Sequence, residues 1–217
     1  MIILENIITD AELNVVREFY EAHKERCYVN WQDDDKIIDT RCMITAIDSF
    51  EFTIIEKITK TYFKNPLDIW AGYQRQTNPH NIHIDDYGIN ETKEVYTFVL
   101  SFDTIPEFKT FVWKEQSPSN AEFHKYVAKW GEERSNLIKV NNLSETEDLE
   151  HTKDINQDAY MCDYLEIDGI YTYRKGCGVL FNAKQFHCTS NWVKYNRWPF
   201  RELLQIHVSI EPDTETY

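Results

Sequence analysis

The sequence lacks several features that are typical of secreted or membrane proteins. Its five cysteines are odd in number and include no CxxC pair or disulfide-framework spacing, so we expect reduced thiols and a cytoplasmic protein. The first ten residues, MIILENIITD, contain no basic segment of the kind that opens a signal peptide. No apolar run approaches the roughly 20 residues that a membrane-spanning helix needs. These absences predict a soluble protein that does not bind a membrane.

Basic residues are few in comparison with acidic ones. The 217-residue chain has 23 Lys and Arg against 37 Asp and Glu, which gives a formal net charge of −14. Because nonspecific binding to DNA or RNA rests largely on neutralising phosphates, this charge disfavours a nucleic-acid partner. It favours a neutral or basic small-molecule or protein substrate, such as a free amino acid or a protein side chain.

No internal repeat or low-complexity linker divides the chain. With 42% hydrophobic residues, residues 1–217 are long enough to form a single domain with a substantial core. Residues 1–66 are predicted to form a helical outer layer. One helix is expected over 9–26, where a T-x-x-E capping box precedes apolar residues at helical spacing, and another over 50–63.

The rest of the chain has the character of strands. Residues 67–115 and 166–211 contain short apolar and aromatic runs separated by turn residues, which predict barrel strands. Residues 116–165 interrupt them as an insertion, with one short helix and an acidic segment that we interpret as a solvated loop. Helices combined with several short strands predict a sandwich or barrel with the helices packed outside.

Residues 80–86, HNIHIDD, concentrate two histidines and two aspartates. An H-x-[DE] match is expected roughly once by chance in this composition, and the chain has two. His23 and Glu25 fall in the first predicted helix, where positions i and i+2 do not face each other, so we interpret them as a solvated helix surface. On a strand, positions i and i+2 point to the same side, so His83 and Asp85 can reach one metal ion.

A third metal ligand is available downstream. His187, in FNAKQFHCTSNW, lies at the start of a predicted strand. Two histidines and one carboxylate that share one face of an iron form the facial triad of non-haem Fe(II) oxygenases, which leaves three positions open. Two alternatives stay open: His83 and His187 as core histidines bonded to backbone groups, and His207 as a rival ligand or an interior hydrogen-bonding residue.

The last predicted strand, FRELLQIHVSI, has two distinct faces. An apolar face suits packing on the N-terminal helices, and the opposite face directs Arg201 into the barrel. A buried arginine needs an anion, and a dicarboxylate on the metal would supply one through a bidentate contact. The inward face consists of Arg201, Leu203, Gln205, His207 and Ser209, and the apolar face of Leu204, Ile206, Val208 and Ile210.

The order of His-x-Asp, a distal His and an Arg on the next strand resembles the Fe(II)/2-oxoglutarate-dependent dioxygenases. Within them it is most similar to the prolyl-hydroxylase-like group, which includes members from marine phages and bacteria. The resemblance covers about residues 69–115 and 169–211. It implies a mainly β fold, a double-stranded β-helix (a jelly-roll or cupin-like barrel) with N-terminal helices packed on one sheet.

The resemblance also implies an activity and roles for individual residues. The enzyme would be a dioxygenase that hydroxylates an unactivated C–H of an amino acid, a protein side chain or another small substrate, with Fe(II), 2-oxoglutarate and O₂. His83, Asp85 and His187 would bind Fe(II). Arg201 would hold the distal carboxylate of 2-oxoglutarate, and Tyr73, ten residues before His83, would donate a hydrogen bond to it.

Two points of the implied site stay open in the sequence. Arg197 also falls at the family's spacing after the distal histidine, although Pro199 favours a loop there and therefore Arg201 for the carboxylate. Leu203 stands where some members have a serine two residues after the arginine, which leaves the carboxylate contacts open.

A second class of function fits the strand pattern nearly as well. A cupin-like metal- or ligand-binding protein without turnover would show the same strands and the same histidines. It would not need Arg201 or Tyr73, and these two residues therefore favour the enzyme.

Overall fold

Antiparallel β-sheets form the body of the protein. The computed structural model describes residues 1–33, 36–45, 49–85, 93–133, 162, 164–195 and 197–212. The strands of these ranges are β1 (Ile2–Leu4), β2 (Tyr28–Asp33), β3 (Lys36–Met43), β4 (Asp68–Gln76), β5 (Glu94–Ser101), β6 (Ile105–Gln116), β7 (Ile167–Tyr173), β8 (Gly178–Asn182), β9 (Gln185–Thr189) and β10 (Arg201–Ile210).

The described strands pair into a large and a small sheet. The large sheet has seven strands in the order β1-β8-β5-β10-β4-β3-β2, and the small sheet has three in the order β7-β6-β9. Neighbouring strands pair antiparallel throughout these ranges. This arrangement confirms the predicted double-stranded β-helix with helices outside.

Two helices pack on the outer face of the large sheet. The first, α1 (Asp10–His23), begins with the predicted capping box, in which the N–H of Glu12 donates to Oγ1 of Thr9 at 3.3 Å and the N–H of Thr9 donates to Oε2 of Glu12 at 2.8 Å. The second, α2 (Phe50–Tyr62), begins at Ser49. Both helices lie where the sequence predicts them, although α1 ends earlier and a short 3₁₀ turn follows it.

The segment 1–66 also contains three strands, which correct its prediction as a purely helical layer. β1 pairs with β8, and the hairpin of β2 and β3 extends the large sheet beyond β4. β1 is only three residues long, and β2 reads YVNWQD, so neither shows the apolar alternation that marks a half-buried strand.

The core between α1, α2 and the large sheet takes up the apolar face of β10. Leu203, on the other face of β10, belongs instead to the cluster between the two sheets, which confirms the predicted division of β10 into two faces. The buried residues of the core under the helices are, on β10, Leu204, Ile206, Val208 and Ile210, and, on the helices, they include Leu13, Val16, Tyr20, Ile54, Ile55 and Ile58.

A separate core covers the outer face of the small sheet. The third helix, α3 (Asn120–Glu133), contributes Phe123, which packs edge-on against Phe186 of β9 with ring centroids 5.1 Å apart. The rest of the predicted insertion, 134–161, lies outside the described residues, as does Asp86. No helix within the described ranges is long and apolar enough to cross a membrane.

Candidate active site

The segment that carries His83 and Asp85 runs antiparallel beside β9. His83 and His187 form an isolated bridge in which each donates its N–H to the other's carbonyl at 3.0 Å. The segment is therefore a bridge rather than the regular strand predicted. Its extended backbone still alternates, because Ile82 and Ile84 are buried in the outer cluster while His83 and Asp85 are turned to the interior.

His83, Asp85 and His187 converge to form a possible metal site. Nε2 of His83 lies 3.9 Å from Oδ1 of Asp85, and Nε2 of His187 lies 3.5 Å from Oδ2 of Asp85. Two ligand atoms that are each about 2.1 Å from one ion can be at most about 4.2 Å apart. Both distances meet that limit, each to a different oxygen of the carboxylate. With one ligand atom taken from each residue, the three atoms lie within 4.8 Å of one another. Within the described part of the chain, no other group of three or more His, Cys, Asp or Glu residues converges in this way.

Backbone carbonyls set the tautomer of both histidines. Nδ1 of His83 lies 2.6 Å from the carbonyl oxygen of Asn81, and Nδ1 of His187 lies 2.9 Å from that of Gln185. A carbonyl oxygen only accepts, so each Nδ1 carries the proton and each Nε2 keeps its lone pair. Both rings thus present the nitrogen that a metal ion binds, with the outer hydrogen bond that metal-bound histidines usually make.

Asp85 is buried and is held by two neutral donors. Thr97 donates from Oγ1 to Oδ2 of Asp85 at 2.8 Å, and Gln205 donates from Nε2 to the same oxygen at 3.3 Å. Burial alone would raise the pKa of Asp85, but the neighbouring His187 lowers it well below its usual range. Asp85 is therefore ionised at neutral pH, as a metal ligand must be.

Burial keeps His83 and His207 neutral. It lowers the pKa of His83 to about 4, and the nearby His187 adds to that lowering. Burial also lowers the pKa of His207 to about 4. Neutral imidazole is the form that binds metal ions, so the charge states of His83 and Asp85 agree with a metal site.

Arg201 is buried on the same side of β10 as Gln205. Its side chain is 2% exposed, and Nη1 donates to the hydroxyl of Tyr173 at 3.0 Å. Nη2 donates to the side-chain oxygen of Gln76, the residue opposite it on β4. Both of these contacts are to neutral groups.

One cleft joins the metal-site histidines to Arg201. Arg41 of β3 also borders it. The lining consists of Arg41, Gln74, Gln76, His80, His83, Val99, Thr110, Tyr173, His187, Thr189, Arg201, Leu203 and Gln205.

Tyr73 does not reach this cleft, which corrects its predicted contact with a co-substrate. Its side chain is fully buried in the core beneath α1, where it stacks on Tyr20 and donates its hydroxyl to Glu202. The register explains this, because Tyr73 pairs with Leu204 and so lies on the helix side of the sheet. Gln74, one residue later, faces the cleft.

Arg197 also lies away from the cleft. Its side chain is 69% exposed, and Nη1 pairs with Oε1 of Glu107 at 3.3 Å. Arg197 therefore cannot bind a carboxylate in the interior, which corrects its inclusion among the candidates. The result agrees with the argument that Pro199 places Arg197 in a loop and leaves Arg201 for the carboxylate.

His207 lies behind the metal site. Nδ1 of His207 is 3.1 Å from Oγ1 of Thr97, and because the hydroxyl of Thr97 donates to Asp85, His207 donates to Thr97. This placement agrees with the interior hydrogen-bonding alternative. His23 lies far from the site at the end of α1, stacked on Phe19 with Nδ1 2.8 Å from the carbonyl oxygen of Phe19.

Several residues of the cleft were missed in the sequence. Gln74 and Gln76 occupy alternate positions of β4, on the face opposite Tyr73 and Arg75, and that alternation was an available signal. Thr97 and Tyr173 gave no comparable signal, since each is an ordinary strand residue until the pairing of distant strands brings it to the site.

Comparison with solved structures identifies the same architecture elsewhere. The chain is similar to the non-heme alpha-ketoglutarate-dependent carbocyclase SnoK from nogalamycin biosynthesis, with a TM-score of 0.56, 13% identity, and coverage of 96% of this chain and 78% of SnoK. It is similar to the epimerase SnoN of that biosynthesis, with a TM-score of 0.56, 9% identity and coverage of 97% and 77%. HygX from Streptomyces hygroscopicus, solved with nickel and 2-oxoglutarate, has a TM-score of 0.51, 14% identity and coverage of 98% and 82%.

At the level of sequence, no protein-family model matches this chain, and neither does any curated protein. The likeness is therefore one of fold at 9 to 14% identity. The chain has the double-stranded β-helix fold found in these non-heme, alpha-ketoglutarate-dependent enzymes.

Proposed function

We propose that this protein is an Fe(II)- and 2-oxoglutarate-dependent dioxygenase. The observation that carries the proposal is one cleft in which His83 and His187 expose their Nε2 atoms beside Asp85 while Arg201 is buried in the same lining. A simple metal-binding protein has use for the first feature but not for the second. The likeness of the fold to enzymes whose names state the same dependence supports the proposal.

The donor set fits Fe(II). His83, Asp85 and His187 would hold the ion through two imidazole nitrogens and one carboxylate, and three open positions would remain for co-substrate and O₂. Bound there, iron with 2-oxoglutarate and O₂ supplies an oxidising chemistry that yields succinate, CO₂ and a hydroxylated substrate. The carbonyls of Asn81 and Gln185 orient the two rings, and Thr97 and Gln205 orient the carboxylate.

The far end of the cleft fits the distal carboxylate of 2-oxoglutarate. Arg201 offers a buried guanidinium, and a bidentate contact with a carboxylate suits its planar geometry. The hydroxyl of Tyr173, 3.0 Å from Arg201, takes the role that the sequence assigned to Tyr73. Thr110 lies 3.3 Å from that hydroxyl and completes a set of donors around the proposed carboxylate.

Hydroxylation of an unactivated C–H is the outcome that we propose. Its support is the resemblance of the motif order to the prolyl-hydroxylase-like group. The substrate would be an amino acid, a protein side chain or another small molecule, and the net charge of −14 supports a substrate that is not strongly anionic. The five cysteines are free thiols, which supports a cytoplasmic location.

Anaerobic titration tests this proposal directly. Protein with one equivalent of Fe(II) is titrated with 2-oxoglutarate, and we expect a visible charge-transfer band that saturates at one co-substrate per protein. Admission of O₂ should then convert 2-oxoglutarate to succinate. The Asp85→Ala protein serves as the matched control and should give neither the band nor succinate. A cupin-like binding protein without turnover would bind Fe(II) but yield no band and no succinate.

A further inference from the structure

A second arginine stands at the cleft. Arg41 lies on β3, and β3 pairs with β4 so that Arg41 is directly opposite Gln74. Gln74 is in turn opposite Leu203 of β10. Residues directly opposite on antiparallel strands share a face, so Arg41 projects from the same face of the sheet as Leu203 and Arg201. Their position on one face of the sheet explains why Arg41 and Arg201 border one cleft.

The two arginines occupy separate places along the sheet. Arg201 is opposite Gln76, whereas Arg41 is opposite Gln74, two residues away and one strand further toward the edge. Two strand spacings of about 4.8 Å and an offset of two residues put their backbones about 12 Å apart. A five-carbon dicarboxylate spans only about 6 Å between its carboxyl carbons. The two arginines therefore enter the cleft from backbone positions that are farther apart than one such dicarboxylate is long.

The two arginines also differ in burial. Arg201 is 2% exposed, whereas Arg41 is half-buried. A co-substrate that must stay bound while the substrate enters suits the more buried arginine. A substrate that arrives later would meet Arg41, the more accessible of the two arginines.

The charge of the lining differs from the charge of the whole molecule. The chain carries a net charge of −14, but the described residues that line the cleft include two arginines, and the carboxylate beside its histidines, Asp85, is a proposed metal ligand. Charges that line a cleft with low-dielectric walls act strongly on a ligand inside it, whatever the distant surface carries. A zwitterionic amino acid suits both the acidic molecule and the arginines of the cleft, because it has no net charge yet offers a carboxylate to Arg41.

We propose that Arg41 binds the carboxylate of the substrate, and that the substrate is an α-amino acid or another small carboxylic acid. This inference rests on the proposed function, because it takes the Arg201 end of the cleft as the place of 2-oxoglutarate.

The test uses the full chain loaded with Ni(II), which takes the place of Fe(II) without turnover, and with saturating 2-oxoglutarate. Loading is measured first, by calorimetry. The probes are the proteinogenic amino acids and a set of small aliphatic and aromatic carboxylic acids, each paired with its carboxamide, and binding is followed by ligand-observed NMR. We expect at least one acid to bind, and its carboxamide to bind at least tenfold more weakly.

Three variants assign the effect to the arginine. Arg41→Gln should weaken binding of that acid at least tenfold, leave the carboxamide unchanged and leave 2-oxoglutarate affinity within twofold of wild type. Arg41→Lys should recover part of the acid binding, since it restores the charge without the planar fork. Arg197→Gln, which removes an exposed arginine outside the cleft, should behave like wild type.

The outcomes separate the two proposals. If wild-type protein with Ni(II) does not bind 2-oxoglutarate, the proposed function is wrong and the substrate proposal with it. If loading succeeds but no acid binds, or if acid and carboxamide bind equally, only the substrate proposal is overturned. Loss of 2-oxoglutarate rather than of the acid in Arg41→Gln would also overturn it, because Arg41 would then be part of the co-substrate site.

Discussion

His83 and His187 exchange both of their backbone hydrogen bonds, each with an N–H to oxygen distance of 3.0 Å, although 104 positions separate them in the sequence. The bridge brings the two rings to a centroid separation of 4.2 Å. It makes the metal site a property of strand pairing, since neither histidine can move along its strand without losing the other. A ligand pair held in this way is preorganised for one ion.

Removal of either histidine should abolish tight metal binding. We expect His83→Ala and His187→Ala to weaken Fe(II) or Mn(II) binding by more than about 100-fold, because loss of a ligand should exceed the 10–100-fold effect typical of an outer-shell partner. Anaerobic calorimetry with Mn(II) measures this. His23→Ala, at the end of α1, is the control and should bind like wild type. Wild-type affinity in both site variants would disprove the triad and make His207 the next candidate.

Arg201 should determine the affinity for 2-oxoglutarate. Breaking a buried charged pair commonly costs about 3–5 kcal/mol, so Arg201→Ala should raise the Kd of 2-oxoglutarate by about two orders of magnitude or more. Metal affinity should change little, since no ligand is lost. Arg197→Ala should leave both affinities unchanged, because this arginine is exposed and pairs with Glu107. A large effect of Arg197→Ala with none of Arg201→Ala would contradict the inward orientation of β10 at Arg201.

Period-two alternation made much of this site predictable from the sequence. It separated the two faces of β10, and it put His83 and Asp85 on one side of an extended segment. The error with Tyr73 came from counting residues back from His83 instead of applying the same alternation to β4. Because orientation on a strand reverses at every residue, a spacing taken from a resemblance does not determine which face a side chain occupies.

The rest of the cleft could not be derived from local patterns. Arg41 and Tyr173 reach the site from β3 and β7, which belong to different sheets and are far from the His-x-Asp segment along the chain. Their places depend on which strands pair and in which register. Neither property follows from the composition of a single strand.

Glu202 should stabilise the fold in a pH-dependent way. Its side chain is 8% exposed, and it accepts from Arg17 at 2.6 Å and Arg75 at 2.7 Å, as well as from Tyr73. Burial would raise the pKa of Glu202, but the donors from Tyr73, Arg75 and Arg17 lower it below its ordinary value. A carboxyl with a depressed folded-state pKa contributes stability above its unfolded pKa and loses it as the pH falls through the folded one.

Glu202→Gln measures this contribution. At pH 7 we expect the variant to lose about 2–3 kcal/mol of unfolding free energy, because hydrogen bonds to a charged group are replaced by weaker neutral ones. The difference from wild type should shrink as the pH falls from about 5 to about 3. Urea unfolding followed by tryptophan fluorescence at a series of pH values gives the comparison. A difference that stays constant over that range would show that the charge of Glu202 does not stabilise the fold.

The two tyrosines, Tyr73 and Tyr173, offer a matched pair of single-atom changes. Tyr173→Phe removes the hydroxyl that lies 3.0 Å from Arg201 in the cleft, and we expect the Kd of 2-oxoglutarate to rise about tenfold, equivalent to one lost hydrogen bond to a charged group. Tyr73→Phe removes a hydroxyl on the helix side of the large sheet, away from the cleft, where it donates to Glu202. This variant should lose about 1–2 kcal/mol of unfolding free energy and keep its affinity for 2-oxoglutarate. Calorimetric titration gives the Kd of 2-oxoglutarate for each variant, and urea unfolding gives the unfolding free energy of each. The reverse result, with co-substrate affinity lost in Tyr73→Phe and kept in Tyr173→Phe, would show that the sheet faces the cleft with its other side.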